Sequence, residues 1–575
     1  MQQFYKTVLR IFILNFCVVM HFDVFSQIVP KDVYGQRWVD SIYQTLSQEE
    51  RIAQLIIIRS PASKKGMDYE LAVSNIKKHK VGGVCFFKGI PSAQVALVDY
   101  YQSLSKIPLW FSCDGEWGLA MRLDSIPAYP RQLTLGAVQN DTLIYAMGVD
   151  IAQQMKRAGL HLNYIPCVDI CSNRDNIIGN RSFGEDPKNV ARKAYMYMKA
   201  LQDNGIYTSL KHFPGHGNTN MDSHRNIPVV VKSSRAYLDS IDLYPYKYLI
   251  ERGADGIMTG HFIVPAYDNT ANALASLSFP ITTGLLREEL GFQGIIYTDG
   301  LEMQGITQYY SQEEIAVRAL VAGADVLLLP MSVPVAINAV KRAMDKGTIT
   351  PEMIEEKCKK ILTVKYNLGL NAPVPSFSEN YKLENIVGKN TDSILRAIYA
   401  DAITLLSNQK QMLPLKRADR KKIAGVTIKC TNTDEIQKSM DRYARVNHFS
   451  IQDKISDKEL KLLKEHDFVI ISMQGTLNST SKNNFGISNR SLQLAKQISK
   501  QSKHVILVLY ANPYIVKEIE SFPNVDAIIV GYQATEHAYQ AVADKIFGQD
   551  YFRGKLPVAV SEKYPLYSGF STKKE

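Results

Sequence analysis

The sequence predicts an α/β protein of two units, an N-terminal (β/α)8 TIM-like barrel followed by a C-terminal three-layer α/β sandwich domain. The chain has 575 residues, which is more than one domain of about 100–200 residues, or a barrel of up to about 250, would need. Between residues 50 and 330, eight short apolar runs alternate with amphipathic helical stretches. A loop-like stretch near Gly369–Phe377 then precedes a second alternating series.

The eight apolar runs predict the strands of the barrel. They are Ala53–Ile58, Gly83–Phe87, Leu109–Cys113, His161–Pro166, Tyr207–Leu210, Gly256–Thr259, Gly294–Thr298 and Val326–Leu329. Near-continuous apolar strands separated by helices are typical of a parallel sheet that is covered on both faces. Eight repeats in fewer than about 300 residues favour a closed barrel over an open sheet. We place the barrel at 33–370 and a linker at 371–390.

The second series predicts the sandwich domain at 391–575. A helix over Thr391–Ala402 opens it, and four strands follow at Ile423–Ile428, Phe468–Met473, His504–Leu509 and Ala527–Val530. Helical stretches again separate these strands. This alternation over about 180 residues predicts a compact α/β domain with helices on both faces of a sheet.

Composition excludes several classes of protein. The chain is 46% hydrophobic and 21% charged, which are globular values and argue against a disordered or fibrous protein. The net charge is +11, but 67 basic and 56 acidic residues are interspersed. Because no basic run stands out, we expect no nucleic-acid partner.

Residues 1–26 have the layout of a secretory signal peptide. Lys6 and Arg10 precede the short apolar stretch Ile11–Met20, and the small residue Ser26 precedes Gln27. This stretch is too short for a stable membrane anchor, so we expect cleavage near Ser26 and no membrane span afterwards. An uncleaved anchor is the alternative. The sequence therefore predicts an exported protein, periplasmic or extracellular.

Six cysteines remain once Cys17 is removed with the signal peptide. They are scattered, mostly within apolar runs, at positions 85, 113, 167, 171, 358 and 430. We predict free, buried thiols, because a large domain does not need disulfide bonds. A Cys167–Cys171 bond is the alternative. The sequence has no cysteine and histidine array for zinc, and we expect neither a metal nor a cofactor.

Polar, reactive residues come directly after several predicted strands. Asp114, the pair Lys211 and His212, His261, and Asp299 each follow an apolar run. Barrel active sites are built at the carboxyl ends of the strands. We therefore expect these residues to cluster at one mouth of the barrel.

The segment Lys211–Pro228 is rich in histidine, a residue type that is common in metal sites. His212 and His216 have the spacing of one helical face. However, Pro214 and Gly217 disfavour a helix, and no glutamate follows the first histidine as it does in zinc peptidases. The segment is better interpreted as a flexible loop.

A histidine–aspartate pair in this segment suits acid–base chemistry, and a separate aspartate further along the chain suits nucleophilic attack. Asp222 and His224 are two apart in an extended loop, so the carboxylate can orient the imidazole and stabilise its cation. An ordinary surface pair is the alternative. Asp299 ends an apolar strand before Gly300, a position suited to nucleophilic attack. Capping of the next helix is an equally common role for such an aspartate.

A third group of polar residues could hold a sugar. The group comprises Asp114, Arg122, Arg181, Lys211 and His212. Carboxylate and guanidinium groups match the geometry of paired hydroxyls. Any one of them could instead be a salt-bridge partner, but five at one barrel mouth favour a polyol site.

The chain resembles glycoside hydrolase family 3, in particular its β-N-acetylglucosaminidase branch with a His/Asp dyad. The resemblance rests on four motifs, KHFPGHG with DSH, RSFGEDP, DGEWG followed by an arginine, and YTDGLEMQG. The second unit resembles the family's C-terminal domain from ADAITLLSN through LPL to GKLPV. The resemblance therefore spans nearly the whole chain after residue 26.

The resemblance implies a role for each candidate residue. Asp299 would be the nucleophile, and His224 would be the general acid and then base, assisted by Asp222. The five residues of the polyol group would bind the sugar in the −1 subsite, where Arg59 would also reach. No cofactor is implied, and the partner would be a small oligosaccharide that contains N-acetylglucosamine (GlcNAc).

The chain departs from the family pattern at two positions. Trp117 replaces a glycine, and would either stack on a sugar or alter the loop; Gly300 replaces a second aspartate, which leaves Asp299 as the sole candidate there. In the β-glucosidases of this family, a loop of the second domain supplies the acid/base carboxylate. The comparable loop, Gln474–Ser488, contains no Asp or Glu, which favours the His224 dyad.

These features together imply a secreted, retaining, exo-acting β-N-acetylglucosaminidase. It would remove terminal GlcNAc from peptidoglycan- or chitin-type oligosaccharides by double displacement. The alternatives are a β-glucosidase or β-xylosidase, a GlcNAc phosphorylase, and a catalytically dead sugar-binding envelope protein. A phosphorylase is included because a histidine acid/base has no fixed negative charge to repel phosphate.

Overall fold

The computed structural model describes residues 28–171, 173–219, 221, 227–231, 234–372, 376–379, 381–477 and 479–572. The predicted signal peptide therefore lies outside the described residues. Among the helices of the described part, none is both long and apolar enough to span a bilayer.

Nine parallel strands form the described part of the N-terminal unit. They are β1 (Ile56–Ala62), β2 (Gly83–Gly89), β3 (Trp110–Cys113), β4 (Leu162–Asn163), β5 (Tyr207–Thr208), β6 (Leu210–Phe213), β7 (Gly256–Thr259), β8 (Ile295–Thr298) and β9 (Leu327–Leu328). One sheet has the order β5-β4-β3-β2-β1-β9 and the other β6-β7-β8. Isolated bridges, Cys167 to Lys211 and Tyr297 to Val326, link the two sheets. The predicted barrel is confirmed as a curled parallel sheet.

Helices surround these strands. The α-helices are Val33–Thr45, Gln48–Ala53, Met67–His79, Pro91–Leu104, Gln132–Gly136, Thr142–Arg157, Pro187–Asp203, Arg235–Ser240, Tyr244–Ile250, Gln304–Thr307, Gln312–Ala322, Val333–Asp345 and Pro351–Asn367. A π-helical segment covers Pro280–Glu289. The described helices bury their apolar faces against the sheet, so that the core lies between the two layers.

Two strands differ from the sequence prediction. The run Ala53–Ile58 begins too early, because Ser47 and Glu50 form a capping box that starts a helix ending at Ala53. The run Tyr207–Leu210 ends too early, because the chain forms a further strand, β6. Lys211 and His212 therefore lie within a strand and not in the loop after it.

The C-terminal unit contains one six-stranded sheet. Its strands are β10 (Thr404–Asn408), β11 (Ile423–Ile428), β12 (Val446–Ile451), β13 (Phe468–Gln474), β14 (Val505–Tyr510) and β15 (Val525–Val530), in the order β10-β15-β14-β13-β11-β12. Only β10 pairs antiparallel, with β15. The helices are Thr391–Ala402, Thr433–Asp441, Asp457–Lys464, Asn489–Gln501 and Glu536–Ile546, and a short helix, Leu383–Ile386, precedes them. The predicted sandwich is confirmed, with two additional edge strands, β10 and β12.

The two units contact each other closely. The backbone of Lys555 donates to the carbonyl of Ala137 at 3.2 Å, and the backbone of Glu185 donates to that of Pro557 at 3.0 Å. The side chain of Gln533 accepts a hydrogen bond from the backbone of Arg131 at 2.6 Å. These contacts place the second domain beside the loops that follow β3 and β4.

All six described cysteines are buried and free. The prediction of free thiols is confirmed, and the alternative Cys167–Cys171 bond is wrong. The thiol of Cys167 instead donates to the carboxylate of Asp169 at 3.1 Å.

Candidate functional site

The loop after β3 carries Asp114 and is held from the neighbouring strand. The amide side chain of Asn163 accepts from the backbone of Gly115 at 2.8 Å and donates back to its carbonyl at 3.2 Å. Arg122 folds over the loop and donates to the Asp114 carbonyl at 2.8 Å and to its carboxylate at 2.9 Å. The backbone geometry thus fixes the direction of the Asp114 carboxylate.

A buried network of charges joins three strand ends. Lys211 on β6 contacts both Asp114 and Glu116, the latter at 2.8 Å. Arg181 donates to Glu116 through two nitrogens, at 2.6–3.0 Å. Four of the five residues of the predicted polyol group, all but His212, therefore belong to one network around Glu116.

Electrostatics keep Glu116 and Lys211 of this network ionised. Burial by itself would raise the pKa of Glu116, but Arg181 and Lys211 outweigh it and hold the pKa well below its ordinary value. Burial opposes the charge on Lys211, yet Asp114 and Glu116 raise its pKa above the ordinary value. Fixed charges at the floor of a pocket can bind sugar hydroxyls without changing protonation.

His212 belongs to a neighbouring network that centres on Asp169. Its Nδ1 lies 2.7 Å from the Asp169 carboxylate, which also accepts from the backbone of His216 at 2.7 Å. Burial would raise the pKa of Asp169, but His212 and His216 lower it below the ordinary value. An ionised Asp169 keeps the proton of His212 on Nδ1, so that Nε2 is the nitrogen left to accept a hydrogen bond.

Cys167, Asp169 and His212 also place three potential metal ligands within 4.8 Å of one another. Two ligands of one tetrahedral zinc, each about 2.0–2.2 Å from it, lie more than about 3 Å apart. The distance of 2.7 Å between Nδ1 of His212 and the carboxylate oxygen of Asp169 is shorter than this separation. Hydrogen bonding accounts for this cluster.

Asp299 directly follows β8 and is half-buried. Its amide donates to the carbonyl of Thr259 at 2.9 Å, and its carboxylate accepts from the backbone of Gly300 at 2.7 Å. The next helix has Met303 at its N-cap, so the alternative that Asp299 caps this helix is wrong. The strand end and the neighbouring β7 fix the position of the carboxylate.

His261 and Arg59 contact the loop that follows Asp299. His261 is buried, with one ring nitrogen 2.7 Å from the Ser276 hydroxyl and the other 3.1 Å from the Gly300 carbonyl. Arg59 forms an ion pair with Glu302 and lies 3.8 Å from the ring centre of Phe87. Both residues support the loop after β8.

Asp222 and His224 lie outside the described residues, whereas residues before and after them form defined hydrogen bonds. Before it, the Asn176 side chain donates to the carbonyls of His216 and Thr219, each at 2.9 Å. After it, Val230 donates to the Ile263 carbonyl at 3.0 Å. The described residues on the two sides of this segment are thus fixed to the loop after β4 and to the loop after β7.

A glycine in this segment is required by close packing. A Cβ added at Gly217 would lie 1.7 Å from the carbonyl oxygen of Ile170. Only glycine therefore allows this close approach between the loops after β4 and β6.

A cavity of about 710 Å³ opens beside the charged network, between the two domains. Asp114, Arg122 and Arg181 line its barrel side, and Leu477 and Lys482 from the loop after β13 line the opposite side. The Asn180 side chain donates to the Leu477 carbonyl at 2.7 Å. The loop Gln474–Ser488 therefore forms part of the wall of the candidate site.

Sequence reasoning missed Glu116 and Asp169, the centres of the two networks. Glu116 lies two residues after Asp114, and Asp169 lies three residues after the run His161–Pro166. Their positions after predicted strands could have identified both. Burial, which sequence does not give, shows that they support other residues: Glu116 is 2% exposed and Asp169 is 1% exposed.

Comparison with known proteins gives matches over both domains. The model for the glycosyl hydrolase family 3 N-terminal domain matches residues 47–364, and that for the family 3 C-terminal domain matches residues 403–573. Beta-hexosaminidase A of Pseudoalteromonas piscicida is 26% identical over 527 residues, which cover 80% of this chain and 84% of the relative.

Two further relatives have related names. Beta-hexosaminidase LpqI of Mycobacterium tuberculosis is 30% identical over 333 residues, covering 56% of this chain and 83% of the relative. The structure of a glycoside hydrolase family 3 β-N-acetylglucosaminidase from Paenibacillus sp. str. FPU-7 aligns with a TM-score of 0.74 at 26% identity. That alignment covers 90% of this chain and 99% of the Paenibacillus chain.

Proposed function

The chain belongs to glycoside hydrolase family 3 and is a glycoside hydrolase, and from that premise we propose that it is a retaining, exo-acting β-N-acetylglucosaminidase. One observation carries the proposal: a half-buried carboxylate, Asp299, follows β8 of the curled sheet, and the ends of β3, β4 and β6 of the same sheet hold a network of fixed charges. The name of the Paenibacillus structure, a β-N-acetylglucosaminidase, supports GlcNAc as the sugar that is removed, and two relatives are named beta-hexosaminidases.

The proposed reaction has two displacements. Asp299 attacks the anomeric carbon while His224 donates a proton to the leaving oxygen, which gives a glycosyl ester and a neutral imidazole. The imidazole then takes a proton from water, whose oxygen attacks the anomeric carbon and releases Asp299. Asp222 stabilises the imidazolium in each cycle.

Each residue of the charged network has a role in the −1 subsite. The Asp114 carboxylate accepts hydrogen bonds from sugar hydroxyls, and Arg122, Arg181 and Lys211 donate to hydroxyl and acetamido oxygens. His212 offers Nε2 while Asp169 holds its other nitrogen. These groups bind the sugar over the nucleophile, in a fixed geometry that favours the displacement.

Replacement of the nucleophile tests the proposal. Asp299→Ala should lower the kcat for an aryl β-N-acetylglucosaminide by at least about 1,000-fold, since the covalent route is lost. Proton NMR of the first product formed by the wild type should show the β-anomer. Near-normal turnover by the variant, or an α-anomer from the wild type, would contradict the mechanism.

The assignment of His224 is tested with two leaving groups. His224→Ala should lower the rate on chitobiose about 100-fold or more and lower the rate on a dinitrophenyl glycoside much less, because only the poor leaving group needs a proton. Equal losses on both substrates would argue against the acid role. A wild type that prefers an aryl glucoside to the N-acetylglucosaminide would instead favour the β-glucosidase alternative.

We also propose that the protein is exported to the periplasm or beyond, where peptidoglycan- or chitin-type oligosaccharides are the substrates. The charged start and the apolar stretch within residues 1–26 support this. Cell fractionation and N-terminal sequencing test it, and a first residue near Gln27 is expected. Recovery of the uncleaved protein from the cytoplasm would contradict it.

A further inference from the structure

One half-buried cation of the interdomain cavity forms no ion pair with the charge networks described above, although the charge of Glu116 reaches it. Arg122 is paired with Asp114, and Arg181 with Glu116. Arg131 also lines the cavity, yet among the described residues no carboxylate lies within salt-bridge distance of its guanidinium. A half-buried arginine without an anion is costly, which points to an anion that is supplied from outside.

Trp117 holds this guanidinium in place. The guanidinium carbon lies 3.0 Å from the centre of the indole ring, so cation–π contact and stacking fix the plane of the group. The backbone of Arg131 is held separately by Gln533 of the second domain. Burial lowers the pKa of Arg131 to about 10, which leaves it protonated at neutral pH.

The rest of the cavity has the same sign of charge. Its described lining carries five basic side chains and two carboxylates. One of the carboxylates, Asp114, is already bound by Arg122 and Lys211, and the other, Asp175, accepts from the Ser481 hydroxyl. Arg174 and Lys482 are exposed at the wall. The cavity is therefore a cationic recess that continues from the −1 cluster.

We propose that Arg131, stacked on Trp117, together with Lys482 from the second domain forms a subsite for a carboxylate group carried by the glycan substrate. The subsite rests on the proposed glycosidase function and names its substrate class, an acidic GlcNAc-containing oligosaccharide. A planar guanidinium donates two parallel hydrogen bonds to a carboxylate. Lys482 adds a mobile point charge on the opposite wall.

Two substrates that differ in one acidic group test the subsite. Both are disaccharides with a terminal β-linked GlcNAc; in one the second sugar is GlcNAc, and in the other it carries a lactyl ether with a free carboxylate. We expect the wild type to have about a 10-fold higher kcat/KM for the acidic disaccharide, a preference that falls as salt is raised. Arg131→Met should lower the ratio of acidic to neutral kcat/KM about 10-fold, and Arg131→Lys should restore part of it.

Two further variants keep the test independent of folding. Lys482→Ala changes an exposed side chain and should lower the same ratio about 3-fold. Arg420→Met, at an exposed arginine of the second domain away from the cavity lining, is the matched control and should leave the ratio unchanged.

Equal kcat/KM for the two disaccharides, or an equal loss on both in Arg131→Met, would overturn the subsite. It would also be overturned if Arg131→Met changed only the formation of GlcNAc-1-phosphate from added inorganic phosphate, with no effect on the acidic preference. An aryl β-N-acetylglucosaminide separates the two proposals. If the wild type does not hydrolyse the aryl glycoside, the proposed function fails. If the wild type hydrolyses it but has equal kcat/KM for the acidic and the neutral disaccharide, only the subsite fails.

Discussion

Replacement of Glu116 by glutamine should strongly destabilise the barrel. The carboxylate is 2% exposed and accepts three contacts from Arg181 at 2.6–3.0 Å and one from Lys211 at 2.8 Å. In Glu116→Gln an amide group replaces one oxygen and presents further donors to these cations. Loss of one partner of a buried ion pair costs about 3–5 kcal/mol. Lys211 keeps Asp114 as a partner, so we expect a loss of about 3 kcal/mol in the free energy of unfolding.

Urea unfolding followed by tryptophan fluorescence measures this loss in the barrel specifically. The three tryptophans of the chain, at positions 38, 110 and 117, all lie in the N-terminal unit. Glu289→Gln is the matched control, because Glu289 pairs with Arg235 at an exposed site and should cost less than about 1 kcal/mol. A loss below about 1 kcal/mol for Glu116→Gln would refute the reasoning.

The difference in stability between the wild type and Glu116→Gln should also depend on pH. The folded-state pKa of Glu116 is lowered by Arg181 and Lys211 against the opposing effect of burial. Its contribution to stability is therefore present above the unfolded-state pKa of about 4.3. It is lost as the pH falls through the lower folded-state pKa, so the difference between wild type and Glu116→Gln should be constant from pH 7 to 5 and shrink below about pH 4.

Four other substitutions have defined outcomes. Asp169→Asn should lower kcat/KM about 100-fold by releasing the ring of His212; an unchanged kcat/KM would mean that Asp169 has a packing role only. Gly217→Ala should abolish most activity and lower the melting temperature, because the added Cβ has no space. Gly300→Ala should fold normally, because the atom nearest to its added Cβ is 3.6 Å away. Equal melting temperatures for the two variants would contradict this reasoning. Burial lowers the pKa of Lys365 to about 7, so Lys365→Met should be about 2 kcal/mol more stable than wild type at pH 7. That gain should diminish as the pH rises from 7 towards 10, because the unfolded-state lysine then loses its proton too; a destabilised variant at pH 7 would refute it.

The fold was predictable because its signals are local and repeated. Apart from β6, each described strand of the barrel lies on a short apolar run, and this pattern places it correctly to within a few residues. The prediction was wrong where another local signal favoured a different structure. The capping box of Ser47 and Glu50 starts a helix that ends at Ala53, so the strand begins later than the apolar run does. The edge strand Val446–Ile451 was missed because its inner residues are largely polar and partly exposed, so that no apolar run marks it.

The site was predictable only in part, because partners depend on contacts between distant segments. Asp114 and Lys211 were found by their place after a strand run, but the ion pairs that join them to Glu116 and Arg181 link residues 65–97 positions apart. Trp117 could be singled out as a departure from a family pattern, yet its contact with Arg131 required coordinates. The roles of Asp222 and His224 stay predictions.

The division of the cavity between two domains has an evolutionary consequence. The groups proposed to hold the terminal sugar all come from the barrel, where they are locked into buried ion pairs and tolerate little change. The loop Gln474–Ser488 supplies the facing wall from a separate unit and takes no part in those pairs. Its exposed residues, such as Lys482, can change at small cost in folding, so lineages with the same barrel can acquire new glycan preferences by altering exposed positions of this loop.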